Sequence, residues 1–325
     1  MKKNKSIYIS SKSLLFLMAY IVVTVLTISS CSSDDVEAGA LKKDEWLHPY
    51  GTSSYDQILQ MNFYNKNHVY LLFNDTLKKE RVGTNPDGSP FYNYEDVKLN
   101  YKLTGNNGGQ EEVFQFNYLS SDTDKKTGTE FVQNQILPHL GGSLFPFSIL
   151  IVDKINYYVS NASTYYEMTL TNPSVYTGSR CTAIALGNIL NMTSDQQAIY
   201  QKTILKSIIN TQLQSLPSST FDDFYAYCNA YYSTYAMNDA ATAFFKKYPT
   251  PYNLGLLDGG YYSYGAPYGF PIYNIKAKSY DLADYTNAVF DYTDESFKAK
   301  YGQYPIVMAK FNLLKKIFSE IGVIF

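Results

Sequence analysis

The chain has 325 residues, of which 33 are Tyr, 19 Phe and one Trp, and it carries a formal net charge of −2. So even a balance argues against nucleic acid or an anionic surface as the partner, since neither would meet a basic counterpart. Three cysteines are too few for a disulfide framework.

The first thirty residues read as an export signal. Lys2, Lys3, Lys5 and Lys12 form a basic n-region, followed by an apolar stretch from Leu14 to Leu26. That stretch is well short of the roughly twenty residues a spanning helix needs. It runs into Ile28-Ser29-Ser30-Cys31, which resembles a lipobox, implying cleavage before Cys31 and a lipid on its thiol. Ser32-Ser33-Asp34-Asp35-Val36-Glu37 resembles the Ser- and acid-rich tag that sends some gram-negative lipoproteins to the outer face of the outer membrane. The same acids would also suit a solvated tether. Losing the four signal lysines takes the net charge from −2 to −6. The remaining thiols, Cys181 and Cys228, are ones an exported protein could pair. The expected organisation is a signal peptide at 1–30, a lipidated tether at 31–54 with Trp46 as first anchor, and one domain at 55–325.

Within that domain the sequence predicts a short helix at Asp56–Met61 and a strand at His68–Phe73. Thr84 to Pro90 is turn chemistry. Val97–Leu103 and Glu112–Tyr118 read as strands of a hairpin joined through Gly105-Asn106-Asn107-Gly108-Gly109. Ser121–Thr129 reads as a polar loop, and Glu130–Leu137 as a helix stopped by Pro138. Ser148–Val152 is a continuous apolar run, as a strand buried on both faces requires. Tyr165–Leu170 and Thr182–Leu186 are further strand candidates.

Thr193 to Pro217 has the marks of a long amphipathic helix. Thr193 and Gln196 make a capping box, Ile204, Leu205, Ile208, Ile209, Leu213 and Leu216 recur at helical spacing, and Pro217 ends the run. No further strand is expected after it. Phe221–Tyr235 and Asp239–Tyr248 read as helices, and Pro249–Pro271 as a long irregular segment. Such segments often carry function, so Tyr252, Tyr261, Tyr262, Tyr264 and Tyr268 form a candidate binding loop, either as stacking platforms or as half-buried rings. Helices at Asp281–Phe290 and Glu295–Lys300 follow. Pro305–Ile321 closes the fold with Val307, Phe311, Leu314, Phe318 and Ile321 on one face and Gly322 as a stop. Strands early and helices late make the class α+β.

Four stretches then carry a family resemblance. Asp56 to Phe73, Phe147 to Asp153, Ile204 to Leu213, and the set Ser279–Asp284, Thr293–Phe297 and the helix from Pro305 are similar to blocks of one family. It is the zinc-metallopeptidase-like lipoproteins that accompany TonB-dependent nutrient importers, the substrate import-associated zinc metallohydrolases. The resemblance implies an N-terminal mixed sheet with a metallopeptidase-like central helix and a mostly helical C-terminal half. In the family, a His-Glu-x-x-His helix holds zinc and supplies the general base. Here Lys206, Ser207 and Asn210 stand at those places. An ammonium offers zinc no lone pair, a hydroxyl is a poor base at neutral pH, and an amide is a weak zinc ligand. Tyr280 departs from the family's Glu-Asp-Phe-Ala-Glu segment, while Asp281 and Asp284 keep its character.

The vacated positions would therefore be Lys206, Ser207, Asn210, Asp281 and Asp284, with Lys206 either facing Asp281 or Asp284 in place of the metal, or reaching into solvent. An ordinary core helix that never held a metal is the plainer alternative. Three functions stay open. The first is a cofactor-free, non-catalytic binding or accessory subunit of a TonB-dependent uptake system. The others are an active zinc hydrolase with ligands elsewhere, and a glycan- or peptide-binding surface lipoprotein unrelated to peptidases.

Overall fold

The computed structural model of the chain describes residues 54–99, 111–160, 167–257, 261–263 and 272–325, with 261–263 and Tyr273 given by backbone alone. All of these belong to one compact unit, Asp44–Phe325. The expected signal, Cys31 and the tether up to residue 53 lie outside the described residues, as does the glycine-rich connection at 105–109. No described helix is long and apolar enough to cross a membrane.

In chain order the elements are α1 (Tyr55–Asn67), β1 (Tyr70–Leu72), β2 (Thr76–Thr84), β3 (Pro90–Asp96), β4 (Glu112–Asn117), α2 (Asp122–Phe131), β5 (Ser148–Val152), β6 (Lys154–Ser160), β7 (Met168–Thr171), β8 (Val175–Thr177) and β9 (Cys181–Ala185). There follow α3 (Ser194–Ser215), α4 (Asp222–Ala226), β10 (Tyr235–Met237), α5 (Asn238–Lys247), β11 (Tyr261–Ser263), β12 (Ile272–Ile275), α6 (Lys278–Asp291), α7 (Asp294–Tyr301) and α8 (Pro305–Ile321). The architecture is α+β, with a mixed sheet in the N-terminal half and a mostly helical C-terminal half.

The mixed sheet has the order β1-β5-β9-β8, parallel across β1, β5 and β9 and antiparallel at the edge strand β8. β5 is buried along its whole length, which is why its sequence is an unbroken apolar run. Its alternate residues serve two cores, as the two-residue period of a strand demands. Ile149 and Ile151 join the helical layer, while Leu150 and Val152 meet Leu77, Leu99 and Ile155 on the other side.

α3 packs on the helical side with Ile204, Leu205, Ile208, Ile209 and Leu213 buried, each such burial contributing about 1.5–3 kcal/mol. Its capping box forms as expected. Gln196 N donates to Thr193 Oγ1 at 3.3 Å, and Thr193 N donates to Gln196 Oε1 at 2.8 Å. α8 buries the predicted stripe and ends at Gly322, whose φ of 107° suits glycine.

Several expectations are corrected. The polar segment after Ser121 is helical: Asp124 N donates to Ser121 Oγ at 3.0 Å, and α2 packs closely on the sheet through Gly128, where a Cβ would sit 3.2 Å from Ile151 Cγ2. β4 pairs with β6, and of the strand expected at 97–103 Val97 to Leu99 are not in a strand, while 100–103 lie outside the described residues. The turn at 84–90 joins β2 to β3 in a hairpin, an unpredicted pair. Strands do continue after α3, as the antiparallel sheet β10-β12-β11. The helix expected over Phe221–Tyr235 stops at Ala226, and the chain reverses through Ser233, whose φ is 57°. Cys181 and Cys228 are free buried thiols. They sit in different hydrophobic clusters, so no disulfide joins them.

Candidate functional site

The five positions that the family resemblance singles out do not gather at one point. Lys206 Nζ lies 2.8 Å from Asp291 Oδ1, at the last residue of α6, with both side chains partly in solvent. The expectation that Lys206 faces Asp281 or Asp284 is therefore corrected. The helix is the right one, but α6 brings its C-terminal end to α3. Asp281 stands ten residues back, about 15 Å along the axis at 1.5 Å per residue. Asn210 is exposed, Asp284 is half-buried on α6, and Ser207 lines a cleft described below.

Asp281 has a different cation. It is 2 % exposed and paired with Lys310, which is fully buried on α8. The Lys310 ammonium also donates to Gly255 O at 2.9 Å and lies 4.4 Å and 4.8 Å from the centroids of the Phe224 and Tyr285 rings. Tyr232 donates its hydroxyl to the same carboxylate oxygen, and Tyr285 donates to Gly255 O at 2.9 Å. Asp281 Oδ1 has no hydrogen-bond partner among the described residues.

Burial pushes the Asp281 carboxyl above its usual range, against the opposing pull of the Lys310 ammonium and the Tyr232 hydroxyl. Burial, then the nearby Asp281 charge, raises the Tyr232 phenol. Burial also raises the Cys228 thiol, 3.9 Å from the ammonium, with Lys310 opposing. The cluster is an ammonium satisfied by a carboxylate, a carbonyl and two ring faces, so it can hold α6 and α8 together but offers no open coordination position.

The cation that partners the buried acid is thus Lys310 rather than Lys206. The sequence held a signal for it. Lys310 stands between Val307 and Leu314 at three- and four-residue spacing, inside the apolar stripe of α8, where a charge must be paired or pay its desolvation.

A cleft of about 600 Å³ opens beside α3. One wall is the C-terminal half of that helix, from Ser207 to Ser215. The other comprises edge strand β8, its turn into β9, and the segment Ser143–Phe147 that leads into β5. Arg180, at the turn, is bonded to Glu95 at 2.5 Å and lies 5.1 Å from the Phe147 ring centroid.

Of the candidate binding-loop tyrosines, Tyr252 packs half-buried against Tyr301 and Tyr304, with centroids 5.3 Å and 4.9 Å away. Tyr261 and Tyr262 lie on β11, and Tyr264 and Tyr268 lie outside the described residues. Among the described residues no group of three or more His, Cys, Asp or Glu converges as metal ligands. His139 is occupied with Ile324 O at 2.9 Å. The chain matches no protein-family model, and no curated protein or solved structure matches it.

Proposed function

We propose that the chain is a lipid-anchored protein of the outer-membrane surface, serving a nutrient-uptake system as a binding or accessory subunit. On this reading its scaffold is that of a metallopeptidase-like protein whose metal chemistry has lapsed. The address is supported by the basic and apolar signal, the lipobox-like Ile28-Ser29-Ser30-Cys31 and the acidic run that follows. The loss of chemistry is supported chiefly by one contact. Where the family helix carries its first metal ligand, Lys206 presents an ammonium already engaged by the α6 carboxylate of Asp291.

A gain-of-binding experiment tests this. The triple substitution Lys206→His, Ser207→Glu and Asn210→His restores His-Glu-x-x-His on α3, with Asp291 at hand as a third donor. Calorimetric titration with zinc should show one site in the triple variant, weakened by the further change Asp291→Asn, and none in the wild type. A triple variant that takes up no zinc defeats the reading of α3 as a lapsed zinc helix.

A further inference from the structure

From the composition of its walls we infer that the cleft beside α3 binds a neutral, hydroxyl-rich ligand, a short uncharged oligosaccharide. This deepens the proposal of a binding subunit and rests on it, while using none of the metal argument. At about 600 Å³ the cleft falls within the roughly 300–1,000 Å³ typical of small-ligand sites.

Charge narrows the class first. Arg180 is the one charged side chain among the described lining residues. Its guanidinium is already bonded to Glu95 and lies over Phe147. A phosphorylated, carboxylated or cationic ligand would leave water without a counter-charge, at a cost the cleft does not offset.

Hydrogen-bonding capacity narrows it further. Thr211 donates its hydroxyl proton to Ser207 O at 3.0 Å, and Ser215 donates its own to Gln212 O at 2.7 Å. With those protons committed to the helix backbone, the α3 wall presents hydroxyl lone pairs, interleaved with the amides of Gln212 and Gln214. Such a wall favours a ligand that brings many donors in a small volume. A sugar ring carries several O–H groups, each both donor and acceptor, whereas an extended peptide brings one backbone N–H per residue. In the opposite wall Phe145 is 40 % exposed, an aromatic ring of the kind that accepts the C–H side of a pyranose through its negative quadrupole.

The test uses the full-length chain in a detergent without a sugar headgroup. Calorimetry is run against a panel of uncharged di- to hexasaccharides (glucans, mannans, xylans and galactans) and against uncharged peptides of similar size. At least one saccharide should bind with a Kd below about 10 mM. Thr211→Trp, which fills the cleft, should weaken that binding by about tenfold or more, and Thr211→Val should weaken it less. Asn210→Ala, at the adjacent exposed position outside the cleft lining, should leave it unchanged, and thermal melts establish that each variant is folded. Binding of the peptides instead of the saccharides, no saccharide binding, or binding that survives Thr211→Trp in a folded protein overturns the inference. The outcome is separable from the parent proposal: stoichiometric zinc would overturn the non-catalytic reading and leave saccharide binding standing, and a silent panel would do the reverse.

Discussion

Replacing Lys310 with methionine keeps a long flexible side chain in the α8 stripe and removes its charge. Its long contacts to Cys228 Sγ and Tyr232 Oη disappear, and with them the two short charge-assisted hydrogen bonds to Asp281 and Gly255 O, each of these two contributing about 1.5–3 kcal/mol. The thioether regains about 0.3–1.5 kcal/mol against the Phe224 and Tyr285 rings that now face the ammonium. The expected net loss is about 3–5 kcal/mol, the range seen when one partner of a buried pair is removed.

The loss should depend on pH. Asp281 already has its folded pKa raised above the ordinary 3.8 by burial. Its folded form therefore holds a proton more tightly than the unfolded chain does. Its contribution to stability is fully present below the unfolded value and is lost as pH rises through the folded value. Without Lys310 to oppose the shift, that window extends to higher pH, so Lys310→Met should be least damaging in mild acid and most damaging near neutrality. Adding Asp281→Asn, which keeps an acceptor for Tyr232, should recover most of the loss. Urea denaturation followed by circular dichroism, at several pH values and across the double-mutant cycle, measures all of this. A single-variant loss under about 1 kcal/mol, or a cycle with no coupling, would refute the assignment of this pair as the junction of α6 and α8.

Three other outcomes follow from the same reasoning. Thr193→Ala removes the capping-box hydroxyl of α3 and should cost about 1 kcal/mol, read as a lowered urea midpoint at unchanged slope. Gly322→Ala places a Cβ at a φ of 107° and 1.8 Å from Gly141 O. It should destabilise by more than about 1 kcal/mol in the same assay, and a neutral result would contradict the left-handed stop of α8. Cys31→Ala should move the chain from the membrane pellet to the soluble fraction and abolish labelling by a fatty-acid analogue. Retention of the label would contradict the lipobox reading.

Local signals in the sequence carried further than long-range ones. The buried strand β5, the capping box of α3 and the stop after α8 were legible because each is written within a few neighbouring residues. The β2–β3 hairpin was not, because Leu77 is the one buried residue of the two strands and no burial imposed an alternating pattern. β6 was hidden for another reason: it follows β5 across the single residue Asp153, with no glycine or proline to mark the change of sheet. The helix expected at Phe221–Tyr235 failed where an aromatic-rich run stood equally well for a turn and a short strand. At the site, the chemistry of a buried carboxylate requiring a cation was readable, while its partner was not. Which lysine meets Asp281 is decided by how α6 lies between α3 and α8, a tertiary fact. Lys310 inside an apolar stripe was the clue that sequence reading passed over.

Whether α3 and its surroundings hold a metal decides between a binding subunit and a hydrolase, and metal content measures that directly. Protein purified from zinc-replete cells without chelators, desalted and analysed by plasma mass spectrometry, should carry well under about 0.1 zinc per chain, since a closed set of ligands is what retains the ion. About one zinc per chain, lost together with any peptidase activity on chelation, would contradict it and make this protein a working hydrolase.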